Sequence, residues 1–308
     1  MPLQFVVPME RDGWCVRDFL RSCGVSSTAI LAAKRTPPGI QADGVPVHTN
    51  AFVKAGMRIL LPEVPEASPE IAAQDIPLAI PWEDDNAAVV EKPAGIAVHP
   101  TLNYADGTLA NAWMGELARR GTRGAFHPVY RLDKDTSGLL LLAKSGAVQP
   151  FLIRSCRKLY AAILTGVPPQ STGVCEGNIG RVPDSIILRQ VCAEGEPART
   201  HWQVLAQNGA YSLAVFRLET GRTHQIRVHM SHMGYPLVGD DLYGGEKSGA
   251  FPRQALHCTA LCFTTPVGET VRLQSPFPQQ LLAAAGLEEA AAALRQVCEA
   301  FFEIKYPG

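Results

Sequence analysis

The sequence predicts an α+β fold, a mostly antiparallel mixed sheet with flanking helices. Between Pro183 and Leu218, short segments alternate apolar and polar residues, as strands with one buried face do. Segments with helical spacing are fewer and are separated from the strands by Gly and Pro. Runs of strands with a few helices are typical of this fold class. A chain of 308 residues, 46% hydrophobic and 19% charged, can form one large or two modest globular domains.

Residues 1–62 are predicted to form a small α/β unit. Apolar residues at helical spacing predict a first helix that Gly24 ends. Ser26 or Ser27 can cap a second helix that runs to about Lys34. Asp43-Gly44 lies between alternating segments and predicts a hairpin, and residues 53–60 supply a closing strand.

Residues 63–81 are predicted to be a stiff, solvated linker. The segment contains Pro65, Pro69, Pro77 and Pro81, and residues 63–91 carry eight Asp or Glu and no Lys or Arg. Residues 1–62, in contrast, carry seven Lys or Arg against four Asp or Glu. We therefore expect the first unit to move relative to the rest of the chain, which should fold without it.

Residues 82–308 are predicted to form the second domain, ending in a helical tail. Its helices are predicted at 107–117, at 223–233, and once or twice within 278–302. Its clearest strands are predicted at 87–90, 139–143, 158–164, 200–204, 211–215 and 255–264.

The stretch from Arg131 to Lys144 is the most informative part of the chain. Asp, Thr, Ser and Gly crowd its first half and predict a tight turn. Leu139 to Ala143 form an apolar run too short for a helix, which predicts a buried strand. Carboxylates are thus held at the edge of a rigid core strand, where functional residues are often found.

Several classes of function lack support in the sequence. The eight cysteines contain no Cys-x-x-Cys pair, which indicates reduced thiols in a cytoplasmic protein. Acidic and basic residues interrupt the short apolar start, so no signal peptide is expected, and no apolar run is long enough for a membrane span. The spacing of His224, His229 and His232 does not match a zinc motif, and no phosphate loop or dinucleotide fingerprint occurs.

Five motifs together resemble those of the RluA-type pseudouridine synthases, which isomerise uridine in ribosomal and transfer RNA. They occur in the family's order and cover roughly residues 80 to 280. One departure is Tyr130, where the family often has His. The motifs are Lys92–Pro100, Arg131–Lys144, Lys158–Gly166, Gly221–Met230 with Gly234–Asp240, and Leu256–Phe263.

The resemblance implies a pseudouridine synthase fold, an RNA substrate and no cofactor. Uridine isomerisation is redox-neutral, which agrees with the lack of a cofactor motif. The first unit resembles the alpha-L RNA-binding motif, although its second helix carries little basic charge beyond Lys34-Arg35. A generic small subdomain remains the alternative for this unit. We expect a monomer that binds no metal and no membrane.

The carboxylate of Asp133 is the predicted centre of catalysis. Cleavage of a bond between base and ribose requires a group that captures or stabilises the electron-poor anomeric carbon, or a base that acts on the ribose. The resemblance assigns the essential aspartate to Asp133. Asp135 is interpreted as a turn-forming residue whose side chain binds backbone amides.

Arg222 and Tyr160 are the other predicted catalytic residues. The resemblance places Arg222 as the ion-pair partner of Asp133, and a nearby guanidinium favours an ionised carboxylate. A cation at a helix start opposes the helix dipole, so a carboxylate from another segment should compensate it. Tyr160 resembles the ring that stacks on uracil and assists proton transfer.

The predicted substrate contacts are Arg131, Thr136, His224 and Ile226. Arg131 resembles the residue that holds the flipped-out nucleotide, since enzymes acting on a base remove it from its stack. Ile226 is expected to follow Arg222 by one helical turn and to form the apolar floor of the pocket.

Two other functions remain open from the sequence. A non-catalytic RNA-binding protein could retain this fold, although Asp133, Tyr160 and Arg222 are all present. A carboxylate-dependent hydrolase acting on free nucleosides or sugars would need no RNA-binding unit and would release free base. The particular RNA and uridine cannot be read from scattered recognition residues.

Overall fold

The computed structural model describes residues 3–62, 71–101, 104–122 and 124–304. Its first unit is a four-stranded sheet of order β1-β4-β2-β3 with two helices. Ser26 caps the second helix through its hydroxyl, which accepts the Ala29 N–H at 3.0 Å. Asp43 and Gly44 both have left-handed backbone angles, so the predicted hairpin is confirmed. The elements are β1 (Leu3–Val6), a 3-10 turn (Met9–Arg11), α1 (Val16–Ser22), α2 (Ser27–Arg35), β2 (Gln41–Ala42), β3 (Val45–Pro46) and β4 (Arg58–Leu61).

The rest of the chain forms a large mixed sheet with flanking helices, which confirms the predicted α+β class. All six predicted strands are present. The elements are β5 (Ala79–Glu83), β6 (Ala87–Lys92), α3 (Leu109–Arg119), β7 (His127–Pro128), β8 (Ser137–Ala143), α4 (Gln149–Ser155), β9 (Arg157–Thr165), β10 (Thr172–Glu176), β11 (Ile179–Arg181), β12 (Arg189–Val191), β13 (Arg199–Gln207), β14 (Tyr211–Leu218), α5 (Gln225–His232), β15 (Leu256–Thr264), β16 (Thr270–Gln274), α6 (Gln279–Ala285) and α7 (Ala290–Glu303).

The sheet runs in the order β10-β13-β14-β9-β15-β8-β6-β5, with β16 beside β15 and β7 beside β8. The pair β8 and β15 is parallel, and the remaining neighbours in the sheet are antiparallel. One face packs against α6 and α7. Residues of α3, α4 and α5 pack in a second cluster, together with β6, β8 and the opposite side of β9. No helix among the described residues is long and apolar enough to cross a membrane.

A glycine at the start of β8 brings the central motif close to β15. Gly138 has a φ of 111°, and a Cβ at this position would lie 2.3 Å from the carbonyl oxygen of Cys258. Only glycine permits this approach. The turn that carries Asp133 is therefore fixed against two core strands.

The first unit packs against the second domain, whereas the sequence analysis expected it to move relative to that domain. Phe5 contacts Phe151 of α4 edge-on, with ring centroids 6.0 Å apart. Arg154 donates to the carbonyl oxygen of Ser22 at 3.1 Å, and the Val6 N–H donates to Pro266 at 3.3 Å. The two units thus share one hydrophobic core.

The predicted linker is also partly structured. Residues 63–70 lie outside the described part of the chain. The Gln74 N–H donates to the carbonyl oxygen of Asn111 in α3 at 3.1 Å, and the last residues before position 82 belong to β5. Proline does not prevent strand formation here because β5 is at the edge of the sheet.

Replacing Phe151 with Ala should therefore destabilise both units together. We expect the free energy of unfolding to fall by about 2 kcal/mol, measured by urea denaturation, because an aromatic ring is lost from the shared core. Ile153→Ala, on the exposed side of α4, should change it by less than about 0.5 kcal/mol. Two separate unfolding transitions, with the N-terminal one unaffected by Phe151→Ala, would contradict docking.

Candidate active site

Asp133 lies in the turn immediately before β8, with 24% of its side chain exposed. The N–H of Thr136 donates to the carbonyl oxygen of Asp133 at 3.1 Å and closes the turn. The carboxylate therefore projects from a short, hydrogen-bonded loop at the end of a buried strand. This is the position that the sequence predicted for it.

A buried lysine ties this turn to the neighbouring motif. The ammonium of Lys92 donates to the carbonyl oxygens of Pro93, Ile96 and Lys134, each at 2.8 Å. Burial lowers the pKa of Lys92 to about 7. Three acceptors match the three N–H donors of an ammonium. Lys92 thus fixes the main chain beside Asp133 and keeps its own charge away from solvent.

Arg227 is the ion-pair partner of Asp133. Its Nη1 lies 3.0 Å from Oδ2 of Asp133. The remaining edge of the guanidinium donates to both oxygens of Asp240, at 2.7 and 2.8 Å. The side chain of Arg227 is 4% exposed and that of Asp240 is fully buried. Burial opposes the charge of Arg227, but hydrogen bonds to Asp240 and the charge of Asp133 raise its pKa overall.

The prediction that Arg222 pairs with Asp133 is therefore wrong. Arg222 instead pairs with the exposed Glu196 at 2.9 Å. His224 has left-handed backbone angles, φ 58° and ψ 21°, so the chain turns before α5 begins at Gln225. Arg222 lies before that turn and is directed outward. A carboxylate from another segment does compensate its charge, but that carboxylate is Glu196.

Tyr160 and Ile226 lie in the hydrophobic core that borders the site. Both belong to the same buried cluster. Burial raises the pKa of Tyr160 well above its usual value, and the charge of Asp133 also contributes. Because Arg222 lies outside α5, the expected one-turn spacing from Arg222 to Ile226 does not exist. Ile226 is buried because of its own position in α5.

The other predicted substrate contacts differ in their burial and in their distance from Asp133. Thr136 is buried, and its hydroxyl lies 3.5 Å from the Gln254 amide. Arg131 is exposed. Nε2 of His224 lies 3.9 Å from Oδ1 of Asp133. Tyr130 donates to the carbonyl oxygen of Leu139 at 2.7 Å, so the residue that replaces the family's His supports β8.

Arg227, Asp240 and Lys92 are the functional residues that sequence reasoning missed. All three lie within the recognised motifs. One sequence signal could have identified Arg227 and Asp240: Gly221–Met230 contains two arginines, and Asp240 follows downstream as a possible partner for one of them. A buried arginine requires a carboxylate partner, whereas an arginine in a polar turn does not.

A buried series of hydrogen bonds, which ends at Glu91, also supports this turn. It begins at Arg253, whose guanidinium donates to the Ser137 hydroxyl at 3.2 Å. Ser137 lies 2.9 Å from Nδ1 of His257, whose Nε2 lies 2.9 Å from the Ser275 hydroxyl. Ser275 donates to Glu91 at 2.8 Å. A neutral His257 that accepts at Nδ1 and donates at Nε2 completes the chain from guanidinium to carboxylate.

The hydrogen bonds from Arg253 to Glu91 predict that the folded protein loses stability in acid. Burial lowers the pKa of His257 from 6.5 to about 4. Between these values the unfolded chain binds a proton that the folded chain excludes, so stability falls as pH falls through this window. The contribution is about 3 kcal/mol. His257→Gln should flatten the dependence of unfolding free energy on pH between 6.5 and 4, and an unchanged slope would contradict this.

Comparisons with known proteins agree on one family. The family model for RNA pseudouridylate synthases matches residues 86–232. An uncharacterized RNA pseudouridine synthase of Bacillus subtilis, YjbO, is 36% identical over 86% of this chain and 96% of its own length. Ribosomal large subunit pseudouridine synthase D of Pseudomonas aeruginosa is 38% identical, covering 85% of this chain and 86% of its own.

A solved structure supports the same assignment. Human RNA Pseudouridylate Synthase Domain Containing 1 has a TM-score of 0.57 and 26% identity, covering 74% of this chain and 97% of that one. The residues that the family model matches include Asp133, Tyr160 and Arg227. This chain belongs to the RluA-type family of RNA pseudouridine synthases.

Proposed function

We propose that this RNA pseudouridine synthase modifies uridine in large-subunit ribosomal RNA, with Asp133 as the essential carboxylate. The observation that carries the assignment of Asp133 is its pairing with Arg227, which Asp240 holds in turn. The three side chains together carry one negative charge. Such an arrangement holds the Asp133 carboxylate in a fixed orientation while one quarter of its side chain stays exposed.

The reaction balances without a second reactant. The bond between N1 of uracil and C1′ of ribose breaks, the base rotates, and a bond forms between C5 and C1′. The proton on C5 is lost and N1 gains a proton, so the product is an isomer. In this proposal Asp133 acts on the ribose, as a nucleophile at C1′ or as a base.

Tyr160 acts in this proposal as a neutral phenol. Because burial raises its pKa well above 10, the hydroxyl stays protonated near pH 7. It can stack on the uracil and donate a hydrogen bond, but a phenolate base is disfavoured. Ile226, in the same cluster, forms the adjacent apolar surface.

Ribosomal RNA is favoured as the substrate by the names of three relatives. Ribosomal large subunit pseudouridine synthase D proteins of Pseudomonas, Xanthomonas and Xylella are 36–38% identical to this chain. The first unit, which packs against the rest of the chain, is proposed to contribute to recognition of folded RNA by its shape. Arg131, exposed beside the turn, is proposed to contact the displaced nucleotide.

One assay separates this function from its alternatives. Uridine-labelled ribosomal RNA from a strain lacking this gene is incubated with the protein and digested to nucleosides. Labelled pseudouridine is expected. Free uracil would indicate a hydrolase, and unchanged uridine with retained binding would indicate a non-catalytic RNA-binding protein. Transfer RNA, treated in parallel, should remain unmodified if ribosomal RNA is the substrate.

A further inference from the structure

His224 has an unusual backbone conformation at the edge of the site. It is a non-glycine residue with φ 58° and ψ 21°, and it immediately precedes α5. Residues other than Gly occupy this region uncommonly, although Asn, Asp and His do so more often than the rest. Such conformations persist where surrounding contacts determine them, and they concentrate at functional sites. The contacts of the imidazole are therefore informative.

Hydrogen bonds favour one tautomer of His224. Nδ1 lies 2.7 Å from the hydroxyl oxygen of Tyr243. That oxygen already accepts the backbone N–H of Arg189 at 3.1 Å. This favours a Tyr243 hydroxyl that donates its proton to an unprotonated Nδ1. Burial lowers the pKa of His224, so the imidazole is neutral and its single proton is on Nε2.

The position of Asp133 favours the same tautomer. Nε2 lies 3.9 Å from Oδ1 of Asp133, and Arg227 binds the other oxygen. An unprotonated Nε2 would direct its lone pair toward a carboxylate, which is unfavourable. An N–H in this position is attracted by the carboxylate but is too distant to form a hydrogen bond with it. The donor and Oδ1 therefore border the same region of the site.

We propose that His224, held as the Nε2–H tautomer by Tyr243, donates a hydrogen bond to a ribose oxygen of the target nucleotide. This inference rests on the proposed role of Asp133, because the ribose must approach Oδ1 for that carboxylate to act on it. An oxygen of the same ribose then lies within reach of Nε2–H. The geometry makes His224 a substrate-positioning donor and Tyr243 the residue that orients it.

Tyr243 also connects this donor to the β11–β12 hairpin. Its hydroxyl accepts from Arg189 in β12, and its ring lies 5.0 Å from the guanidinium carbon of Arg227. Both partners are fixed by other contacts: Arg189 by the pairing of β12 with β11, and Arg227 by Asp240. The orientation of the imidazole is therefore set before substrate binds.

Two substitutions of His224 separate the effect of losing the Nε2–H donor from the effect of straining the left-handed backbone. Gln places an amide N–H near the position of Nε2, but it fits left-handed backbone poorly. Asn tolerates that backbone and cannot reach the same position. We expect His224→Asn to lower kcat/KM for RNA by about 10- to 100-fold and His224→Gln to retain more activity. Equal losses, the reverse order or no loss would overturn the proposal.

The tautomer can be measured directly in the wild-type protein. Nitrogen-15 NMR of histidine-labelled protein, with the His224 signals assigned by comparison with His224→Gln, should show a protonated Nε2 and an unprotonated Nδ1. Tyr243→Phe should convert this to a mixture of tautomers. A protonated Nδ1 in the wild type would overturn the proposal. Because this measurement needs no RNA, it stands apart from any failure of the proposed function.

Discussion

Asp133→Asn is expected to abolish pseudouridine formation, lowering kcat by about 10³-fold or more. The amide has the same shape as the carboxylate but carries no charge, so it can neither attack ribose nor act as a base. Binding of RNA should remain close to that of the wild type, because the turn is closed by main-chain groups. Nucleoside analysis of treated RNA and a filter-binding measurement check the two parts separately.

Asp135→Asn is the matched control for this substitution. The hydrogen bond that fixes Asp135 uses its carbonyl oxygen, which accepts from Arg253 at 3.0 Å. Among the hydrogen bonds of the described residues, its carboxylate binds no backbone amide, which corrects the predicted turn-forming role of that side chain. Since Asn keeps the carbonyl oxygen, most activity should be retained. An inactive Asp135→Asn with an active Asp133→Asn would reverse the assignment within the motif.

Arg227→Ala should have the second largest effect, on both activity and stability. It would leave the carboxylate of Asp240 fully buried without its cation. Breaking such a pair costs about 3–5 kcal/mol of folding stability. Asp133 would also lose its orienting partner, so we expect activity to fall by about 100-fold or more. Arg227→Lys should retain only part of the activity and stability that Arg227→Ala loses, because a single ammonium cannot reproduce a bidentate guanidinium.

Two further variants separate the catalytic effect from instability. Arg222→Ala removes a surface pair with Glu196, whose side chain is 72% exposed, and should change stability by less than about 1 kcal/mol. The double variant Arg227→Gln with Asp240→Asn removes both buried charges and should regain stability without regaining activity. Full activity in that double variant, measured at a temperature where it is folded, would show that Arg227 only supports the fold.

The charge arrangement at Asp133 explains why the two arginines of one motif have different roles. Arg227 is buried between two carboxylates, whereas Arg222 is paired with a solvated one. A buried guanidinium keeps its charge only when such partners offset the cost of removing it from water. The residues adjacent to each arginine in the sequence do not indicate which of the two is buried.

Features that depend on neighbouring residues were predictable from the sequence alone. Turn-forming residues followed by an apolar run located Asp133 in the turn before β8, and the strand predicted at 158–164 contains Tyr160 and corresponds to β9. Hairpin and capping signals in the first unit were likewise correct. These features follow from steric and hydrogen-bonding preferences that act within a few residues.

Contacts between side chains that are distant in sequence could be identified only in the folded protein. Asp133 and Arg227 are 94 positions apart, and a single left-handed residue, His224, determines that Arg227 rather than Arg222 faces the site. The contact of Phe5 with Phe151 likewise joins residues that are far apart in sequence, within the hydrophobic core that the two units share. Local patterns cannot encode such contacts, because burial and charge pairing are properties of the path that the whole chain takes through space.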